Sequence, residues 1–196
     1  LTNEINNPDK LSIYITETAN MGIEILPPNI NLSERDFSVS DGKIVYGLVG
    51  VKNVGKSAVE EILRARAAEG AYENFIDFLD KVDLRAVNRK VIETLIQCGA
   101  FDCLGQSRAT LMENLENALE FVQKKKEREQ FGQTSLFEGA QQEEMERFNF
   151  EEYDEWPTQE RLQQEKALLG FYVSGHPLDT YRETWKRADN IDLGRP

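Results

Sequence analysis

Apolar residues recur at helical spacing through most of this chain. Leu11, Tyr14, Ile15, Thr18 and Ala19 follow Asn7-Pro8, a cap and a first-turn proline, and Gly22 can end that helix in the left-handed conformation. Ile23 to Leu26 reads as a short strand stopped by Pro27 and Pro28. Phe37 to Tyr46 reads as a hairpin around Asp41-Gly42, a pair that tolerates a type I′ turn. Val59, Ile62 and Leu63 form one apolar stripe over Lys56 to Arg66, with Gly70 beyond its end. Asn74 can cap a helix through Phe75, Phe78 and Leu79. Another helix starts near Asn88, carries Val91, Ile92, Leu95 and Ile96, and stops at Gly99. From Ser107, Leu111, Leu115, Ala118, Leu119 and Val122 share a face. A last helix begins at Thr158 after Pro157, uses Leu162, Leu168 and Leu169, and gives way to Gly170-Phe171-Tyr172-Val173. The expected fold class is mostly α, with a short β-hairpin, tandem glycine turns between helices and a terminal helix.

The periodicity lapses after Gln123. A charge run, Lys124 to Glu129, leads into Phe131 through Glu155, where no apolar repeat survives, so a flexible acidic linker is expected. Net charge is -12, which repels phosphates at long range, but the charge is unevenly placed. Between Lys43 and Arg108 there are ten Lys/Arg against nine Asp/Glu. From Glu138 to Glu165 there are ten acids, opposed by Arg147 and Arg161. Any nucleic-acid contact is therefore expected early in the chain. Cys98 and Cys103, with one distant histidine, cannot supply the four ligands of a structural zinc site and read as packed thiols. No apolar run approaches the roughly 18 residues that cross a bilayer, and there is no basic-then-apolar leader, so a cytoplasmic location is expected. His176, between Gly175 and Pro177, reads as a structural hydrogen-bonder. The paired acids Glu143-Glu144 and Glu151-Glu152 read as solvated side chains, and Trp156 and Trp185 as packing residues.

Two glycine turns carry the chemistry. Gly50-Val51-Lys52-Asn53-Val54-Gly55-Lys56-Ser57 satisfies the spacing of a nucleoside triphosphate phosphate loop, in which Lys56 would reach the terminal phosphates and Ser57 a magnesium ion. That reading needs parallel strands alternating with helices, and nothing after Ser57 alternates so. The same local physics suits a DNA phosphate, because a helix start leaves N–H groups unpaired and a partial positive charge exposed. Val51 and Val54 would anchor such a turn in the core. Gly55 would let the backbone approach DNA, and Lys52, Asn53, Lys56 and Ser57 would surround the phosphate. A second turn of this kind runs from Gly99 to Gly105, with Arg108 at the next helix start. The alternative is that both are ordinary turns between helices.

Several ordered blocks resemble the alpha subunit of bacterial DNA polymerase III. They are Ile25-Leu26-Pro27-Pro28-Asn29-Ile30-Asn31, Asp41 to Leu48, the first glycine turn, Leu95 to Asp102, and Leu168 to Leu178 with its Gly175-His176-Pro177. The resemblance spans nearly the whole chain. It implies the end of a fingers domain over 1–36, a tandem helix-hairpin-helix domain over 37–122, a linker over 123–157, and a helix and connector over 158–196 leading towards an oligonucleotide-binding fold. It implies duplex DNA and other replicative polymerase subunits as partners and DNA-directed DNA polymerase activity for the parent protein. It carries no catalytic residue, metal ligand or cofactor onto this chain, since the polymerising carboxylates and their magnesium belong to a palm domain upstream of these blocks.

Within the linker, Gln133-Thr134-Ser135-Leu136-Phe137 resembles the pentapeptide by which bacterial replication proteins bind the beta sliding clamp. Leu136 and Phe137 are large apolar neighbours in a polar segment with no core of its own, so a partner's apolar pocket would accept them while the Gln133 amide bonds at the rim.

Overall fold

In the computed structural model, which describes residue 2, residues 8–130 and residues 147–172, Pro8 opens helix α1 (Pro8–Asn20) and Gly22 follows its end at φ +75°. Asn7, the expected cap, lies outside the described residues. Strands β1 (Ile25–Leu26), β2 (Ser38–Ser40) and β3 (Lys43–Val45) form a small sheet in the order β1-β3-β2. β2 and β3 make the expected hairpin. Asp41 and Gly42 sit at φ +50° and +75°, as a type I′ turn demands, and Val39 pairs with Ile44. β1 runs parallel to β3, with Ile25 opposite Ile44. A long connection rather than a tight turn joins these two strands, so their pairing is a tertiary event.

Five further helices follow: α2 (Lys56–Glu69), α3 (Phe75–Lys81), α4 (Arg89–Gln97), α5 (Arg108–Gln130) and α6 (Thr158–Leu169). Their starts are where the capping residues put them. The Asn74 side chain accepts the Asp77 N–H at 2.9 Å, Asn88 accepts that of Val91 at 3.2 Å, and Ser107 Oγ accepts that of Thr110 at 3.0 Å. Short 3-10 turns at Leu48–Gly50 and Asp102–Leu104 precede α2 and α5. The apolar stripes of α2 to α5 meet in one core containing Ile62, Leu95, Leu115 and Val122. Aromatic rings fill its centre edge to face, Phe78 and Phe75 standing 4.8 and 5.1 Å from Phe101. The Tyr72 ring packs on Phe78 and its hydroxyl donates to the Ile62 carbonyl at 2.7 Å. Burial pushes the Tyr72 phenol up to about 12.

The linker expected from 123 onward is largely structured at both ends. α5 continues to Gln130, because its charge run has partners. Lys124 pairs with Glu120 one turn back, Lys125 with Asp80, and Lys126 Nζ donates to the Leu79 and Val82 carbonyls at the end of α3. Residues 147–157 form an irregular strap lying back along the first half of α5. Phe148 packs on Phe121 at 5.5 Å and Phe150 on Phe75 at 6.4 Å. Asn114 donates to the Glu151 carbonyl and accepts its N–H. Two aromatics spaced by two do not register as helical periodicity, which is why this segment reads as featureless in sequence. Trp156 packs partly buried against the core, as expected. Cys98 is buried and its thiol pushed up to about 12 by that burial, whereas Cys103, expected to be packed, is exposed.

Candidate nucleic-acid interface

The chain enters the first glycine turn from β3. A side chain at Gly47 would collide with the backbone of Asp36. Glycine there lets the segment before β2 lie directly on the turn, where the Leu48 and Val49 N–H groups donate to the Glu34 and Arg35 carbonyls at 3.0 Å. Val51 is fully buried and Val54 nearly so, anchoring the turn as expected. Asn53 is left-handed at φ +67° at its exposed tip. Four of the turn's amides are used internally: Gly50 N–H donates to the Gly47 carbonyl at 3.0 Å, Val51 N–H to Leu48 at 3.2 Å, Lys52 N–H to Leu168 at 3.0 Å and Val54 N–H to Val51 at 3.2 Å.

Beyond Val54 the amides are open. Gly55 caps α2 in extended geometry without any side-chain bond, and the first turn of the helix carries no acid. The first four N–H groups of a helix have no partner within it. Among the described residues no acceptor bonds the N–H of Gly55, Lys56 or Ser57, and all three residues are exposed. Lys52 and Lys56 are likewise exposed and make no ion pair with a described residue. The start of α2 is therefore a row of unsatisfied donors on the positive end of a helix, flanked by two ammonium groups, and it can take an anion without displacing a protein group.

The second turn has the fuller frame, with α4 before it and α5 after it, yet its polar groups are already engaged. Arg108 does not face solvent. Its side chain is 3% exposed, with Nη2 donating to Asp102 at 2.7 Å and to Glu165 at 2.9 Å, and Nη1 donating to the Gln97 carbonyl at 3.2 Å. Burial by itself disfavours its charge, but the Asp102 and Glu165 carboxylates outweigh that and hold the guanidinium more firmly protonated than usual. Arg108 is thus a buried hub tying the turn to α6, and the expectation that its side chain contacts DNA is corrected. Gly99 is corrected with it: at φ +81° it is buried, and a side chain there would strike the Arg108 guanidinium. Gly105 is exposed and left-handed at φ +88°.

The helix start after Gly105 is closed as well. Glu155, from the strap, accepts the Arg108 N–H at 3.0 Å and the Ala109 N–H at 3.3 Å, while Ser107 takes that of Thr110. Neither Glu155 nor Glu165 stands out as a site residue in the sequence. Glu165 does carry a signal, since it falls on the apolar face between Leu162 and Leu169, and an acid on a buried face needs a cationic partner. Glu155 carries none. Gln133, Leu136 and Phe137 lie outside the described residues, as does His176.

A phosphate loop for a nucleotide does not fit this frame. A 3-10 turn leads into Gly50, and the strands among the described residues hold two or three residues each. No group of three or more His, Cys, Asp or Glu among those residues could hold a metal ion, and no helix there is long and apolar enough to cross a membrane.

Residues 22–111, from the end of α1 to the first turn of α5, match the helix-hairpin-helix motif family. Over 98% of its length the chain is 46% identical to the DNA polymerase III subunit alpha of Borreliella burgdorferi, and over 99% it is 40% identical to that of Treponema pallidum. Against the Escherichia coli subunit it is 37% identical over 95% of its length. The chain is similar to one segment of these bacterial DNA polymerase III alpha subunits and spans 16 to 17% of their length.

Proposed function

We propose that this chain is the part of a replicative DNA polymerase that holds duplex DNA by its backbone and tethers the enzyme to a sliding clamp. The observation that carries the first half is the start of α2, where the free N–H groups of Gly55, Lys56 and Ser57 stand between Lys52 and Lys56. Such donors contact phosphates without reading bases, which suits an enzyme that must hold any sequence. Polymerisation by the parent protein belongs to carboxylates and magnesium elsewhere, and this segment contributes grip. Titration of fluorescent duplexes of unrelated sequence tests it. Equal affinities are expected, falling as salt rises with a slope near -0.9 per phosphate contacted. Sequence-selective or salt-insensitive binding overturns it.

The second half rests on Gln133, Leu136 and Phe137. Two apolar side chains entering a pocket contribute about 1.5 to 3 kcal/mol each, against an ordering cost of roughly 2 to 5 kcal/mol. The peptide alone therefore binds weakly, and tethering on DNA beside an encircling clamp raises its avidity by ~10² to 10⁴. A Leu136→Ala, Phe137→Ala double variant is expected to lose retention on immobilised beta clamp, and unchanged retention removes this half of the proposal.

A further inference from the structure

The two helix starts differ in one respect that the fold does not require: the second is occupied by an anion belonging to the chain itself. The Glu155 carboxylate places its two oxygens on adjacent backbone amides, Arg108 N–H and Ala109 N–H. This is the arrangement a phosphodiester adopts on the end of a helix. The group is therefore direct evidence that the start of α5 accepts an oxyanion, with a carboxylate standing where two phosphate oxygens would.

The segment that carries Glu155 is attached in a manner suited to exchange. No backbone-to-backbone hydrogen bond ties residues 147–156 to any described residue. The middle of the strap is held by side chains: Tyr153 donates its N–H to Thr110 Oγ1 at 2.9 Å and accepts from Ser107 Oγ at 2.9 Å. Phe148 and Phe150 on one side and Trp156 on the other anchor its ends in the core, while residues 151–155 between them are exposed. A cleft of about 440 Å³ lies beneath, between Gly105, Ser107 and Thr110 on one wall and Phe150 and Tyr153 on the other. The exposed stretch carries Glu151, Glu152, Asp154 and Glu155, so lifting it takes Glu155 off the start of α5 and carries three further acids away with it.

We propose that Glu155 is an internal competitor for DNA phosphate, holding the second hairpin closed and giving up the start of α5 to a phosphodiester when its strap is displaced. Duplex DNA then engages both hairpins, through the amides of Gly55 to Ser57 at one and those of Arg108 and Ala109 at the other. The Arg108 side chain stays in its buried pairs throughout. Contact with the first hairpin supplies the local phosphate concentration that drives the exchange, so the strap sets a threshold between holding DNA at one turn and at two. This inference rests on the proposed backbone contact at α2, and its test separates the two.

The test measures duplex affinity of the whole chain over a range of salt concentrations for the parent, Glu155→Ala and Glu155→Gln, with circular dichroism of each. Glu155→Gln keeps an acceptor oxygen at the helix start while removing the charge, so it reports even where Glu155→Ala does not fold. Removal of the competitor is expected to raise affinity about fivefold and to steepen the salt slope by about one unit, the signature of one further phosphate neutralised. A parent that binds DNA with both folded variants unchanged in affinity and slope makes Glu155 a helix cap alone, overturning the inference and sparing the α2 reading. A silent parent with a binding Glu155 variant supports the inference and overturns the α2 reading. Silence from all three overturns both.

Discussion

Two glycine turns lie some fifty residues apart in this chain, and each is a 3-10 turn leading into a helix. At the first, the helix begins with amides and two lysines that have no partner among the described residues, and no acid stands in its opening turn. At the second, the first three amides of the helix and the cation are engaged: Glu155 and Ser107 take the amides, and Asp102 and Glu165 take the arginine. The comparison teaches that a hairpin motif specifies a shape that can hold an anion, while its partners decide whether the place is vacant. The first turn gives up local stability to keep its donors free, and the second converts the same donors into a joint between α4, α5 and α6.

The sharpest way to separate the turns is to break each with substitutions that leave the other alone. Arg108→Ala removes the guanidinium that pairs with Glu165, a buried carboxylate 2% exposed, and is expected to destabilise the fold by about 3 to 5 kcal/mol, read from chemical denaturation. A loss under 1 kcal/mol would show that the buried pairs are not the joint described. Lys52→Ala with Lys56→Ala should leave denaturation nearly unchanged. Duplex affinity is expected to fall about tenfold at low salt, with the salt slope shallower by about two units; an unaltered slope would move the DNA contact elsewhere.

A pair of glycine substitutions refines the contrast. Gly105→Ala forces a left-handed residue to carry a side chain and is expected to cost ~1 to 2 kcal/mol of stability, with parent-like duplex affinity. Gly55→Ala meets only Ser57 Oγ at 4.0 Å and has an ordinary φ of -71°, so it should fold within about 1 kcal/mol of the parent. Its added methyl stands at the mouth of the open amides, and duplex affinity is expected to drop about threefold where backbone approach to phosphate matters. Should Gly55→Ala bind as the parent does, Lys52 and Lys56 alone make the contact.

Much of the scaffold is legible from residue to residue. Asn74, Asn88 and Ser107 are capping residues whose partners lie three positions on, and Asp41-Gly42 dictates its hairpin through its own φ angles. The open turn is legible for the same reason, since Val51, Val54, Gly55 and the two lysines act within one short segment. The strap was not legible. Phe148 and Phe150 find Phe121 and Phe75 across the molecule, and no local period announces a stretch held by side chains of another element. Arg108 misled for a related reason: a cation at a helix start looks available until its counter-charges are known, and Glu165 lies 57 residues further on.

Sequence by itself determined the helices, their caps, the hairpin turn and two places where a helix opens on a tight glycine bend, because all of these arise from interactions spanning a few residues. Only the tertiary structure decided that one bend is open and the other shut. The carboxylate that closes the second comes from 47 residues away, and whether an amide is free depends on what the folded chain brings to it, which no local pattern records.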